Sequence, residues 1–351
     1  MAKKISRAAI YEVLNSFVPP GFSSSLLAMK AVSAAELEGR RVLLALRLSE
    51  GHKEHWPTIQ AMLTERISAI EGVEGLSVNV EWEPLPEGKK PNLLPSVKHV
   101  VVIGSGKGGV GKSTVTANLA CSLAAKGHAV GLLDADLHGP SMGMMFGVGG
   151  DDGPIVSPSG MIAPVEKYGL KIMSMGFLIE EERPVIWRGP MLHKALEQFM
   201  SEVEWGALDV LLIDLPPGTG DILISIVNSV RVGGAVVVST PQDVAFLDAK
   251  KAIAMFGEAN VPILGVIENM SSFICPKCGE ETQIFGNGGV RKAAQSMGLP
   301  FLGEIPIDLQ IRITSDQGVP IAAISQDSPQ ARVFGEMAGR VEVGLGMGGG
   351  G

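Results

Sequence analysis

Residues 104–114, GSGKGGVGKST, gather glycines, two lysines and hydroxyl side chains into one short segment. Read from Gly106, the segment is G-x-x-x-x-G-K-S, with Gly106, Gly111, Lys112 and Ser113 at the offsets of a phosphate-binding P-loop. Read from Gly104 it is also G-x-G-x-x-G, the turn of a dinucleotide site. That second frame leaves Lys112 and Ser113 without a task, so the P-loop is the reading adopted. In such a loop, backbone N–H groups curl around phosphate oxygens and the following helix N-terminus adds partial positive charge. Lys112 would place a point charge on the outer phosphates, and Ser113 would offer its hydroxyl to Mg²⁺. The candidate nucleotide-binding residues are therefore Gly106, Lys107, Gly108, Gly109, Val110, Gly111, Lys112, Ser113 and Thr114.

A P-loop that splits a nucleotide also needs carboxylates near the metal. LLIDLPPGTGD puts Asp214 at the end of an apolar run, where it would hold Mg²⁺ through water. GLLDADLHGPS does the same for Asp134 and Asp136; Asp136 is the candidate to orient the attacking water, and Asp134 is a structural or switch residue. A third cluster is sulfur. Cys275 and Cys278, in SSFICPKCGEE, form a single C-x₂-C. One pair does not complete a zinc or iron–sulfur site, each of which takes about four protein ligands. The pair could meet its copy in a second subunit, act as a redox dithiol, or join a distant Cys or His. Cys₄ from two chains suits a [4Fe–4S] cluster or a bridging Zn²⁺. The third cysteine, Cys121, stands among Leu119, Leu123 and Ala124 and reads as a buried thiol.

These residues need elements to hold them. From residue 100 onward, VVVIG, AVGLLDAD, LKIMSM, DVLLIDLPPG, AVVVSTP and ILGVIENM read as buried strands. STVTANLACSLAAKG, PMLHKALEQFMSEV, DILISIVNSV and DVAFLDAKKAIAMFGE read as helices between them. Alternation of this kind predicts an α/β fold, a mostly parallel sheet flanked by helices, with ligands at the carboxyl ends of the strands. Residues 1–83 form a separate small α+β pattern, with helices in RAAIYEVLNSF and PTIQAMLTERISAI and strands in VLLALRLS and LSVNVEW. The proline-rich stretch at 84–97 reads as a linker, 98–342 as the P-loop domain and 343–351 as a disordered glycine-rich tail.

Composition narrows the classes. The 351 residues are 46% hydrophobic and 19% charged, as in an ordinary globular chain. A formal charge of −8 argues against bulk binding to nucleic acid or an anionic membrane. No run approaches the ~18 apolar residues of a membrane span, and no secretory leader is expected. Three cysteines predict a reducing, cytoplasmic setting.

GKGGVGKST with its extra Lys107 resembles the deviant Walker A of the MinD/ParA-like ATPases. DADLHGPS, LIDLPPGTGD, ENMS followed by CPKCG, and GEIPIDLQIRITSDQGVP resemble the Mrp-type (ApbC-like) iron–sulfur cluster carrier ATPases, from about residue 98 to about 340. Residues 1–83 are similar to the small domain shared with iron–sulfur assembly factors, without its acidic Asp-Pro opening. The resemblance implies ATP binding with slow hydrolysis, and a homodimer in which Lys107 reaches the partner's phosphates. Lys107, Lys112 and Asp136 would be the catalytic residues. It further implies that Asn269 reads the adenine edge, and that Pro306 and Asp308 belong to a loop over the base. It favours a [4Fe–4S] cluster held by Cys275 and Cys278 of two subunits, taken from assembly scaffold proteins and passed to apoproteins. The alternatives are a MinD/ParA-like positioning ATPase and a metal-insertion chaperone with a bridging zinc or nickel.

Overall fold

The computed structural model describes residues 5–19, 25–49, 56–83, 92–137, 139–149, 152–178, 189–218, 220–286 and 288–347. The chain divides into two compact units, Met1–Lys89 and Lys90–Gly351.

In the first unit, α1 (Arg7–Ser16) buries Ile10 and Leu14 along one stripe. The hairpin of β1 (Val32–Glu38) and β2 (Arg41–Ser49) is antiparallel. Helix α2 (Trp56–Ser68) buries Ile59, Leu63 and Ile67, and it crosses over to β3 (Gly75–Glu83), which pairs parallel with β2. On β2, Val42, Leu44, Leu46 and Leu48 alternate into the core. Strand β1 escapes a reading by periodicity because VSAAELE buries only Ala35.

The second unit opens with β4 (Val97–Gly104), α3 (Lys112–Ala125), β5 (Val130–Asp134) and the short α4 (Met142–Met145). Next come a two-residue pair, β6 (Ile155–Val156) and β7 (Ile162–Ala163), then β8 (Val165–Lys167), β9 (Leu170–Ser174) and α5 (Gly189–Ser201). The chain continues through β10 (Leu208–Asp214), α6 (Gly220–Ser229), β11 (Gly234–Ser239), α7 (Asp243–Glu258), β12 (Ile263–Ile274) and β13 (Glu281–Thr282). It closes with α8 (Gly289–Ser296), β14 (Phe301–Ile307), α9 (Leu309–Asp316), α10 (Ile321–Ile324) and α11 (Pro329–Gly344).

The sheet runs β12-β11-β4-β10-β5-β9-β8; the pairs from β12 to β9 are parallel and β8 is antiparallel. On the far side of β12, β14 pairs parallel, and β13 pairs antiparallel with the strand's end. Both faces are covered: Val100 and Val102 join one apolar core with α5 to α8, while Val101 and Ile103 join another with α3 and α11. That is why these strands are continuous apolar runs rather than alternating ones. The first βα unit skips a strand, so that β10 lies between β4 and β5. This register sets Asp214 beside Ile103 on one flank and Asp134 on the other, all at the carboxyl edge.

Residues 84–91 of the expected linker lie outside the described residues, whereas Leu94 is buried and Leu93 N–H bonds Ser229 O. Helix α11 takes in Val343 and Gly344, where glycine content predicts a flexible end, because its buried Phe334, Met337 and Val341 stripe anchors it. Residues 348–351 lie outside the described residues. No helix among the described residues is long and apolar enough to cross a membrane.

Candidate functional site

The segment after β4 turns through Ser105–Gly111 into α3. Its shape depends on two glycines. Gly111 takes φ 76°, where a Cβ would be strained and would also overlap the Asn269 amide; a Cβ on Gly106 would overlap the Asp248 carbonyl. Gly108–Thr114 line a cavity of about 320 Å³, which Lys107, Asp136 and Ser141 also face.

Beneath the loop, Asp214 is fully buried and collects three donors. Lys112 Nζ and Ser113 Oγ each donate to its Oδ2 at 2.6 Å, and Thr116 Oγ1 donates to Oδ1 at 2.6 Å. The Lys112–Asp214 pair is a buried salt bridge, which needs such extra hydrogen bonds to offset desolvation. Asp134, also fully buried, accepts from the N–H groups of Asp136, Ser141 and Met142 and from Ser174 Oγ. Burial first, and then the charge of Asp214, pushes its carboxyl up to about 6, against the pull of those donors. Asp136 is also buried, but it faces the cavity, and its Oδ1 accepts from Gly139 N–H at 3.2 Å. Hydroxyl and carboxylate oxygens of this kind suit a hard divalent cation such as Mg²⁺.

Lys107 is half-buried, and its Nζ donates to Gln242 Oε1 at 3.0 Å. Asn269, on β12, donates Nδ2 to Val110 O at 2.8 Å, so its amide braces the phosphate loop. Pro306 lies on β14. Asp308 caps α9, its Oδ1 accepting from Gln310 and Ile311 N–H and its Oδ2 from Gln330 Nε2.

The cysteine pair sits at the tip of the β12–β13 hairpin. Cys275 N–H bonds Glu280 O at 2.9 Å and Gly279 N–H bonds Cys275 O at 2.8 Å, closing a tight turn. The backbone N–H groups of Cys278 and Lys277 and the Cys278 thiol point at the Cys275 sulfur and hold it below the ordinary thiol range. Cys278 is exposed. Among the described residues, no group of three or more His, Cys, Asp or Glu is placed to hold a metal. Cys121 belongs to neither site: it is buried in α3, and burial pushes its thiol up to about 12.

The family model of the NUBPL iron-transfer P-loop NTPases, of the ParA group, matches residues 96–342. The chain belongs to this family. An iron-sulfur cluster carrier protein of Aquifex aeolicus is 54% identical over 242 residues, which is 69% of this chain and 66% of that protein. One from Deinococcus radiodurans is 40% identical over 339 residues, 95% of each chain, so that likeness takes in the first unit too. Among solved structures, a nucleotide-binding protein of Archaeoglobus fulgidus in complex with ADP is 38% identical, with a TM-score of 0.57, over 68% of this chain and 91% of that one.

In this member of the NUBPL-type family, two groups at the phosphate site escape a motif reading. Thr116 stands one helical turn after Lys112, a spacing that puts both on the Asp214 side of α3. Ser141 lines the cavity with a buried Oγ that has no hydrogen-bond partner among the described residues, while its N–H is tied to Asp134. A buried hydroxyl without a partner at a phosphate cavity is an oxygen ready for a ligand or its cation. Its only sequence signal is its place after Asp134 and Asp136 in DADLHGPS.

Proposed function

We propose that the protein binds ATP with Mg²⁺ in the P-loop cavity, hydrolyses it slowly, and carries a [4Fe–4S] cluster between two copies of the chain for delivery to apoproteins. The observation that carries this reading is the turn that presents two sulfurs, one of them activated by backbone N–H groups, with no third ligand beside them among the described residues. A second copy supplies the two missing thiolates. Four thiolates at a subunit seam, with Cys278 exposed and Cys275 only half-buried, hold a cluster loosely, as a carrier requires. The names of the Aquifex and Deinococcus relatives support the same cargo.

In the nucleotide site, Lys112 and the loop N–H groups hold the phosphates, and Ser113, Ser141 and, through water, Asp214 hold Mg²⁺. Asp136 faces the cavity and orients the attacking water. Lys107, in its own chain beside Gln242, reaches the phosphates of the partner copy, where charge develops during transfer. Asn269 reads the adenine edge with Pro306 and Asp308 nearby. The carrier takes its cluster from an assembly scaffold protein in a reducing cytoplasm and has no nucleic-acid or membrane partner.

Anaerobic reconstitution with ferrous iron and sulfide tests the cargo. The expected result is about four iron and about four sulfide per two chains, and a Cys275→Ala, Cys278→Ala chain that holds none. A double variant with unchanged visible absorption, or a purified dimer carrying zinc in place of iron, would overturn it.

A further inference from the structure

Four described non-glycine residues have left-handed backbone: Lys30, Tyr168, Asn260 and Met270. Lys30 precedes β1, Tyr168 turns between β8 and β9, and Asn260 follows α7, all turn positions. Met270, with φ 58°, lies inside β12, in a conformation that L side chains resist. The register supplies the cause. β12 and β14 pair at Asn269↔Ile305 and next at Phe273↔Ile307, so Met270, Ser271 and Ser272 oppose Pro306 alone. Proline has no N–H to give to a ladder, and β12 bulges opposite it.

This bulge is anchored at both ends. Before it, the fully buried Glu268 accepts from Gly288 and Val290 N–H at 3.3 and 2.9 Å, and Asn269 bonds Val110 O of the phosphate loop. The Met270 side chain stands beside that loop as well: a Cβ added to Gly111 would lie 3.8 Å from Met270 Cε. After it, Phe273 and Ile274 pair with Thr282 and Glu281, and the next residue is Cys275. Ser271 and Ser272 are buried, so the bulge is packed rather than a loose loop. At ~3.3 Å per residue, Met270 and Cys275 are roughly 17 Å apart along one strand.

We propose that the Met270–Ser272 bulge links the two sites, passing a shift of the phosphate loop on nucleotide binding into the position of Cys275, with Met270 as its positioning residue. The inference rests on the reading that the P-loop holds nucleotide, and it does not depend on which metal the thiolates carry. Asn269 bonds the phosphate loop and Met270 stands beside it, while the register opposite Pro306 holds Met270 in a left-handed conformation. A strained joint between two anchored segments moves when one anchor moves. Coupling of this kind is reciprocal, so a ligand on the thiolates must change nucleotide affinity by the same factor.

Hydrogen exchange on the full chain, read by mass spectrometry with and without Mg²⁺ and the non-hydrolysable analogue AMP-PNP, tests the link. In the wild type, AMP-PNP should change exchange of the 273–282 amides by about 5-fold or more, within the usual range of site-to-site coupling. Met270→Gly adopts φ 58° without strain and therefore folds. It should bind AMP-PNP within about 2-fold of wild type and lose the response, while Met270→Leu, which keeps the Cβ and the bulk, should retain it. A Met270→Gly chain that responds like the wild type would overturn the proposal, as would a wild type that binds AMP-PNP with 273–282 unchanged. A chain that does not bind AMP-PNP overturns both this link and the nucleotide reading. Failure of cluster reconstitution alone removes the carrier reading and leaves the link standing, because the exchange readout uses no iron or sulfide.

Discussion

Around Asp214, three side chains of one chain close on a single carboxylate, whereas around Cys275 and Cys278 one chain brings two sulfurs together and no further ligand among the described residues. The first region is buried: Lys112 and Asp214 are almost out of contact with water, and Asp214 accepts from Lys112, Ser113 and Thr116. The second lies at the surface and is shaped by its own backbone, a turn whose N–H groups serve the half-buried Cys275 beside the exposed Cys278. The difference separates a carboxylate that side chains of one polypeptide satisfy from a sulfur pair that falls short of the about four ligands a zinc or iron–sulfur site takes. It also explains their chemistry, since phosphate transfer needs a preorganised, dry cradle and cargo transfer needs a ligand set that opens.

The strongest way to break this contrast is Lys112→Ala. ATP turnover should fall by about 10³-fold, the effect of removing a charge that meets the developing transition-state charge. Stability should fall by about 3 kcal/mol or more, because Asp214 is left buried without its counter-charge and beside Asp134. Iron bound after anaerobic reconstitution should stay within about 2-fold of wild type if the two regions are built independently. Turnover assays, urea denaturation and iron analysis read the three quantities; a parallel loss of iron would show that the thiolate turn depends on the phosphate site for its shape.

Lys107→Ala sharpens the contrast instead, since Lys107 is the one loop residue proposed to serve the other copy. Its Nζ rests on Gln242 and not on its own Asp214, so the variant should keep ATP affinity within a few-fold and lose about 10²-fold in turnover. Mixing Lys107→Ala chains with Asp136→Asn chains should restore part of the activity, because one of the two sites in the mixed dimer then has both groups. No recovery on mixing would place Lys107 at work in its own chain, and the phosphate site would then be wholly internal.

The parts that sequence made legible are those whose physics is local. The P-loop, the strand ends carrying Asp134, Asp136 and Asp214, and the C-x₂-C can be read because glycine backbone freedom, apolar runs and fixed offsets all act over a few residues. What sequence concealed depends on register between distant segments. β1 carries too little apolar area to signal a strand, and Thr116 acquires its role only when β10 is inserted between β4 and β5. The Met270 bulge exists only because Pro306, thirty-six residues later, lies opposite it. Asp308 shows a different limit: the family resemblance sets it in a loop over the base, while the fold adds what sequence did not signal, a carboxylate that caps α9 and holds Gln330.

The smallest expected effect compares the two regions through their protons. Burial raises Asp134 to about 6, above the ordinary carboxylate range, so the folded chain holds this proton more tightly than the unfolded one. Its contribution to stability is therefore full below the unfolded value and is lost as pH rises through about 6. Asp134→Asn cannot titrate, and the stability of wild type relative to this variant should rise by about 1 kcal/mol between pH 7.5 and pH 5, read from urea midpoints at both pH values. A flat difference would mean that the N–H groups of Asp136, Ser141 and Met142 outweigh burial, and that the acid cluster is tuned by hydrogen bonds. Cys275 is tuned in that second way, since it is only half-buried, has donors aimed at its sulfur and lies below the thiol range. The same kind of backbone donor thus acts against burial at Asp134 and nearly alone at Cys275, and the pH experiment measures how far burial prevails where both operate.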